Sequence, residues 1–168
     1  MKKNGFGLLE VLLATGLITI LIGGAVVLGS VVFRNTQINQ HKTQAMYLNQ
    51  EAIEAIKQIQ RTNWVKQDPG VNWDDGLNAG TYTLPDNKLA NVWELKSYDE
   101  NKKLTLNNVD FHRKITIENV KTSQEMVDDS GFRSGDIIKK ITAEVLWEDF
   151  GKLQSVKSQT LISDWKGL

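Results

Sequence analysis

Residues Gly5 to Phe33 read GFGLLEVLLATGLITILIGGAVVLGSVVF and form the most apolar part of the chain. Within them, Val11 to Phe33 is a run of 23 residues without a charge. At about 1.5 Å per helical residue, this run is long enough to cross the roughly 30 Å hydrocarbon core of a bilayer. We therefore predict a membrane-spanning helix, with a single carboxylate, Glu10, at its leading edge.

Three kinds of segment share this pattern. A secretory signal peptide has an apolar core of about 7–15 residues and a small-residue cleavage site after it; the run here is longer, and Arg34-Asn35-Thr36-Gln37 follows. A plain membrane anchor fits the length but leaves Glu10 unexplained. A carboxylate within the bilayer costs about 2.5–3.5 kcal/mol on insertion scales and usually faces a partner, although near the end of a span it can snorkel to the interface.

The third kind is more specific. Gly5-Phe6 followed by Leu8, Leu9 and Glu10, and then by Val11-Leu12-Leu13-Ala14, resembles the type IV prepilin signature. This family comprises type IV pilins, secretion pseudopilins and competence pilins. The resemblance implies that a membrane peptidase cuts between Gly5 and Phe6 and methylates the new terminus at Phe6. It also implies that Glu10 serves filament assembly.

The sequence departs from the family pattern at two places. Gly7 stands where the family more often has Thr or Ser, and the apolar run contains no proline. Many major pilins have a helix-kinking proline where this chain has Val27. We expect any kink or melted segment to depend on Gly23, Gly24 and Gly29, because each glycine costs up to about 1 kcal/mol against alanine in a helix.

Glu10 has a physical role that follows from its position. Cleavage before Phe6 would create an ammonium group at the start of the helix, and methylation keeps its charge. Glu10 of a neighbouring subunit can pair with that ammonium in a low-dielectric helix bundle. Removing one partner of a buried pair costs about 3–5 kcal/mol, so we expect the pair to set the register between subunits.

Composition limits the remaining possibilities. The 168 residues allow one domain plus an anchor. There are 20 basic and 20 acidic residues, and without Lys2, Lys3 and Glu10 the remainder has one net negative charge. That near-neutrality argues against a nucleic-acid surface. No cysteine is present, and because major type IV pilins often carry a disulfide, its absence favours a minor pilin or pseudopilin.

After the span, residues 34–63 are predicted to continue the helix with one apolar face. Proline is absent, and apolar residues recur at helical spacing. The stripe consists of Ala45, Leu48, Ala52, Ile56 and Ile59. The predicted divisions are a leader at 1–5, a membrane or filament-core helix at 6–33, an amphipathic half at 34–63 and a β-rich part at 64–168.

Alternating apolar residues predict strands in the last part. The clearest candidates are Ile137–Trp147 and Lys152–Ile162, joined as a hairpin through the tight connection Glu148-Asp149-Phe150-Gly151, with a firm strand at Phe111–Val120 that has a bulge or end near Glu118. Shorter candidates are 81–84, 92–95 and 103–106. A long helix followed by such strands is an α+β pattern, and we predict that the antiparallel sheet packs on residues 34–63, as in pilins.

Three features suggest ligands but have simpler interpretations. Asp74-Asp75 lacks the twelve-position spacing of a calcium loop, so turn chemistry is preferred. Residues 124–136 contain acidic and glycine residues typical of a turn, and a metal ion there stays an open alternative. Tryptophans are expected in the core and at its rim rather than in a carbohydrate site; they are Trp64, Trp73, Trp93 and Trp147.

No catalytic constellation is visible. The chain lacks cysteine, His41 and His112 are isolated, and no glycine-rich phosphate loop follows a strand. We therefore expect no enzyme, cofactor or metal, but a pilus or secretion-filament subunit. Its expected partners are prepilin peptidase, other pilin-like subunits, an inner-membrane assembly platform and lipid before assembly. Lys2 and Lys3 favour a cytoplasmic N-terminus, so we expect a single-pass inner-membrane protein that later enters an extracytoplasmic filament.

Two alternatives remain open at this point. One is an uncleaved single-pass protein with an outer ligand-binding domain. The other is a competence pilin that contacts DNA, against which the near-neutral outer part counts.

Overall fold

The computed structural model describes residues 7–66, 70–85, 93–121 and 137–164. A long N-terminal helix packs on a six-stranded antiparallel sheet, which confirms the predicted α+β fold. The helix and strands in chain order are α1 (Leu8–Lys66), β1 (Gly80–Thr83), β2 (Lys96–Ser97), β3 (Leu104–Leu106), β4 (Val109–Lys121), β5 (Ile137–Asp149) and β6 (Lys152–Ser163). The chain divides into two compact units, 1–41 and 42–168.

The described part of the first unit is helical from Leu8 onward. The hydroxyl groups within its apolar run all donate to main-chain carbonyls of the same helix: Thr15 to Val11, Thr19 to Thr15 and Ser30 to Val26, at 2.8–3.0 Å. Such bonding removes the cost of placing these hydroxyls in an apolar medium. The helix continues without interruption through the glycines at 23, 24 and 29.

The second unit has its core between α1 and one face of the sheet. The predicted helix stripe is confirmed, since Ala45, Leu48, Ala52 and Ile56 are buried and Ile59 packs at the edge of the core. The sheet contributes the inward residues of its long strands, Phe111, Ile115, Ile117, Ile141, Ala143, Val145 and Trp147. The four described tryptophans lie in or against this core, as predicted, with Trp73 and Trp147 buried.

The sheet has the order β2-β1-β4-β5-β6, and β3 pairs with β4 beside β1. β4 pairs with β5 from Phe111↔Trp147 to Lys121↔Ile137 without a skipped residue. The bulge or strand end predicted near Glu118 is therefore wrong. The apolar alternation of β4 changes near Glu118 for a different reason. Val120 pairs with Ile138, which is fully buried on the other face of the sheet, so an apolar residue is favoured on that face without any bulge.

Most strand boundaries differ from the prediction by one or two residues, and two elements differ by more. α1 ends at Lys66 rather than at Asn63, because the Asn63 side chain donates to the carbonyls of Trp73 and Asp75 at 3.2 and 2.8 Å instead of ending the helix. The strand predicted at 92–95 is wrong over the described residues 93–95, which are not strand; a two-residue strand, β2, follows at Lys96–Ser97. It is short because it pairs only with Tyr82 and Thr83 of β1.

Both tight hairpins turn through two residues with positive φ. Asn107 and Asn108, between β3 and β4, have φ of 50° and 64°, and Phe150 and Gly151, between β5 and β6, have φ of 49° and 74°. Two consecutive positive φ values define the type I′ turn, which matches the twist of the flanking strands and favours Asn-Gly. The predicted turn glycine is confirmed, while an exposed phenylalanine is an unfavourable residue at the first position.

Phe150→Asn is expected to stabilise the second unit by about 0.5–1 kcal/mol, because asparagine tolerates the left-handed conformation that phenylalanine adopts with strain. Urea unfolding of the detergent-solubilised chain, followed by tryptophan fluorescence, measures this change. Asn107→Phe introduces the same strain in the other turn and should destabilise by a similar amount. Equal stability of the two variants would contradict the turn argument.

Candidate functional site

The candidate site is the N-terminal part of α1. Gly7 starts the helix, since its carbonyl accepts the amides of Glu10 and Val11 at 3.0 and 3.3 Å. Glu10 lies in the first turn and is exposed. There the partial positive charge of the helix N-terminus favours a carboxylate. The charge of Glu10 is therefore compatible with the stability of α1.

The apolar side chains of this segment have no partner in the described chain. Every Leu, Ile, Val and Phe from Leu8 to Phe33 is at least half exposed, between 50% for Val11 and 82% for Leu8. Burying one such side chain gains about 1.5–3 kcal/mol relative to water. A surface of this size marks a membrane or protein interaction site.

Length and composition make α1 able to cross a membrane. Its most apolar stretch has a mean hydropathy of 2.6, and none of that stretch is buried within the chain. A helix that is apolar on all sides is typical of a bilayer span or of the centre of a helix bundle. This segment therefore fits lipid, neighbouring helices, or each of these in turn.

Glu10 lies on a leucine-rich face of α1. With about 100° of rotation per residue, Leu17, Leu21 and Leu28 share that face, whereas Gly16 and Gly23 lie on a roughly opposite face. After Glu10, the helix carries no charged side chain from Val11 to Phe33. A cation that pairs with Glu10 within an apolar bundle must therefore come from outside this stretch.

The remaining residues of the predicted site lie outside the described part of the chain. Gly5 and Phe6, proposed for cleavage and methylation, precede Gly7, where the description begins. Residues 124–136, with the open metal alternative, also lie outside it. Among described residues no group of three or more His, Cys, Asp or Glu is placed to hold a metal ion.

Asp74 and Asp75 have structural roles in the second unit. The Asp75 carboxylate accepts the amide of Asn72 at 3.1 Å, and Asp74 pairs with the buried Lys139 at 3.0 Å. The Asp75 contact is the turn chemistry that the sequence predicts, whereas the Asp74 carboxylate instead ties the turn to β5. Lys139 is a feature that the sequence reasoning missed, since it lies on the inward face of β5 among apolar residues.

A cleft of about 330 Å³ lies beside the last turns of α1. Trp93 forms one side, and its indole nitrogen donates to Gln58 at 2.8 Å. The amide nitrogen of Asn63, also in the wall, donates to main-chain carbonyls of Trp73 and Asp75. These lining donors are used within the chain, so the cleft is better explained as part of the packing than as a ligand site.

Comparison with known proteins adds no family assignment. No family model matches the chain, and neither a curated protein nor a solved structure matches it. The features on which a functional argument can draw are therefore the motif around Glu10, the exposed apolar helix and the α+β architecture.

Proposed function

We propose that this chain is a structural subunit, a minor pilin or pseudopilin, of a type IV pilus or type II secretion-like filament. The observation that carries the proposal is a helix whose apolar residues from Leu8 to Phe33 are all exposed and whose first turn holds Glu10. The prepilin-like sequence Gly5-Phe6 immediately before it supports the same function.

Assembly through this helix follows from its surface. In the inner membrane, lipid covers the apolar side chains. Moving these side chains from lipid into water would cost about 25 cal/mol of free energy per Å² of apolar surface exposed. Extraction therefore requires other apolar helices to replace the lipid. A filament core made of such helices provides that replacement, and an assembly platform would supply the work of extraction.

Charge pairing gives this bundle its register. After cleavage at Gly5, Phe6 carries a methylated ammonium, and Glu10 of the adjacent subunit is the carboxylate that can approach it. Unpaired, either charge would cost about 3–5 kcal/mol within the bundle. The apolar contacts therefore supply attraction, and the pair selects one axial position among many similar ones.

Processing by prepilin peptidase is the direct test. When the chain is co-expressed with an active peptidase, intact-mass analysis should show loss of residues 1–5 and addition of one methyl group at Phe6. Gly5→Leu should retain the full leader. Gly7→Ala is the matched control, because a Cβ at Gly7 meets no atom within 4 Å, and it should be processed normally.

An intact N-terminus beside a prepilin that the same peptidase cleaves would contradict the proposal. The chain would then be an uncleaved membrane-anchored protein. If processing occurs but the chain binds DNA with a steep salt dependence, the competence-pilin alternative would be favoured, because counterion release produces that dependence.

A further inference from the structure

Among the described strands, β6 forms a long edge of the sheet with nothing paired to its outer side. β6 pairs with β5 over its whole length, from Asp149↔Lys152 to Ile138↔Ser163, and no described strand pairs with its other side. The two-residue turn makes Asp149 and Lys152 a hydrogen-bonded pair. Even-numbered residues of β6 therefore bond to β5, and the main-chain N–H and C=O groups of odd-numbered residues point to the free edge.

This edge lacks most of the devices that protect edge strands. β6 contains no proline, and its pairing with β5 skips no residue. Long edge strands without bulges or proline readily accept another strand. At its far end, the Gln60 side chain of α1 donates to the carbonyl of Ser163, an odd-numbered residue, at 2.9 Å.

A groove runs between α1 and the inward face of β6. Its larger part, about 480 Å³, lies between Met46, Ile53 and Lys57 of α1 and the inward residues Val156 and Thr160. A second part of about 270 Å³ shares Lys57 and continues toward Trp64 and Ser163. The inward side chains of a strand added to β6 would enter this β6 groove.

One buried acceptor in the β6 groove has no partner. Asn49 lines the larger cavity, and its amide nitrogen donates to the carbonyls of Ala143 and Val156 at 2.8 and 3.1 Å. Its Oδ1 is buried and accepts no hydrogen bond from the described residues.

The outward face of the sheet indicates the charge of the missing strand. The register places Lys114 of β4, Glu144 of β5 and Lys157 of β6 in one row. Signs alternate along this row, and opposite charges on neighbouring strands stabilise a sheet. The next position in the row, beyond Lys157, therefore favours a carboxylate.

We propose that the free edge of β6 and the β6 groove bind an extended segment of another protein as an added antiparallel strand. The segment places an acidic residue opposite Lys157 and apolar residues on either side of it, facing Ile53 and Met46. A second copy of this chain is a poor occupant through its own β6, because a symmetric pairing about Lys157 brings two lysines together. The proposal does not depend on filament assembly.

The test measures binding of a labelled synthetic peptide to the full chain in detergent micelles by fluorescence anisotropy. In the peptide, Val alternates with Thr, and one central Glu replaces a Thr. We expect saturable binding. Lys157→Glu should weaken it about two- to thirtyfold, the effect of losing one favourable charge contact and gaining a repulsion, and a peptide with central Lys should restore binding to that variant. Lys96→Glu, on the exposed edge strand β2, is the matched control and should bind like the unmodified chain.

Backbone pairing is tested separately by N-methylating the peptide. Methylation of the Glu and Thr amides, which face β6 in an antiparallel pair, should abolish binding, and methylation of the Val amides should leave it intact. The proposal is overturned by absence of saturable binding, by equal effects of the two methylated sets, or by equal effects of the substitutions at Lys157 and Lys96. Concentration-dependent dimers that bury β6 would also overturn it, in favour of a second copy.

Discussion

Glu10→Ala is expected to remove the chain almost completely from assembled filaments while its amount in the membrane stays unchanged. In the proposed filament, the substitution would leave the ammonium of a neighbouring Phe6 without its carboxylate inside an apolar bundle, at a cost of about 3–5 kcal/mol. That cost corresponds to a loss of at least about a hundredfold in the equilibrium for entry. The measurement is the ratio of this chain in sheared filaments to this chain in the membrane fraction.

Glu54→Ala provides the matched control on the same helix. Glu54 is an exposed acid that forms an ion pair with Lys57 at 3.1 Å. An exposed pair of this kind contributes little to stability. Glu10→Gln keeps the shape and removes the charge, so it should behave like Glu10→Ala. Normal incorporation of Glu10→Gln would show that charge pairing does not set the register.

Asp74→Ala is expected to destabilise the second unit by about 3 kcal/mol, the lower end of the range for a broken buried pair, since Asp74 keeps partial access to solvent. Lys139 is 4% exposed. It would keep its hydrogen bond to the carbonyl of Leu77 at 2.8 Å but lose the carboxylate. Urea unfolding followed by tryptophan fluorescence reports this unit specifically, because all five tryptophans lie beyond residue 63.

Lys139→Met should cost less than Asp74→Ala, since it removes the buried charge and leaves Asp74 at a partly exposed position. Glu118→Ala breaks an exposed pair with Lys140 at 3.6 Å and should change the free energy of unfolding by about 0–1 kcal/mol. Equal costs for Asp74→Ala and Glu118→Ala would mean that the buried ammonium finds another partner.

The parts of the fold that follow local periodicity were predictable from the sequence. Leu48, Ala52 and Ile56 recur at helical spacing, and their burial follows because the strands present one apolar face to them. The β5–β6 hairpin was predictable because alternation on both sides of Gly151 is strong. In these elements, neighbouring residues in the chain carry all the necessary information.

The features that sequence reasoning missed depend on distant residues. Lys139 interrupts an apolar face, and its partner Asp74 is far away in the chain, so no local pattern pairs them. Asn49 is similar, because its two acceptors belong to different strands. The free edge of β6 depends on strand order, which alternation does not determine. In contrast, the role of Glu10 could be predicted from sequence alone, because Glu10 and the apolar run that follows it are neighbours in the chain; that role stays a prediction.

The hydrogen bonds of the Thr15, Thr19 and Ser30 hydroxyls bear on the proposed transfer of the helix from lipid to a helix bundle. Each hydroxyl donates its hydrogen bond to a carbonyl one turn earlier in the same helix. It therefore needs no acceptor from lipid or from a neighbouring helix. Exchange of one apolar surrounding for another then leaves the polar interactions of this stretch untouched. Such a segment is suited to repeated insertion and withdrawal, because neither direction requires a hydrogen bond to be broken.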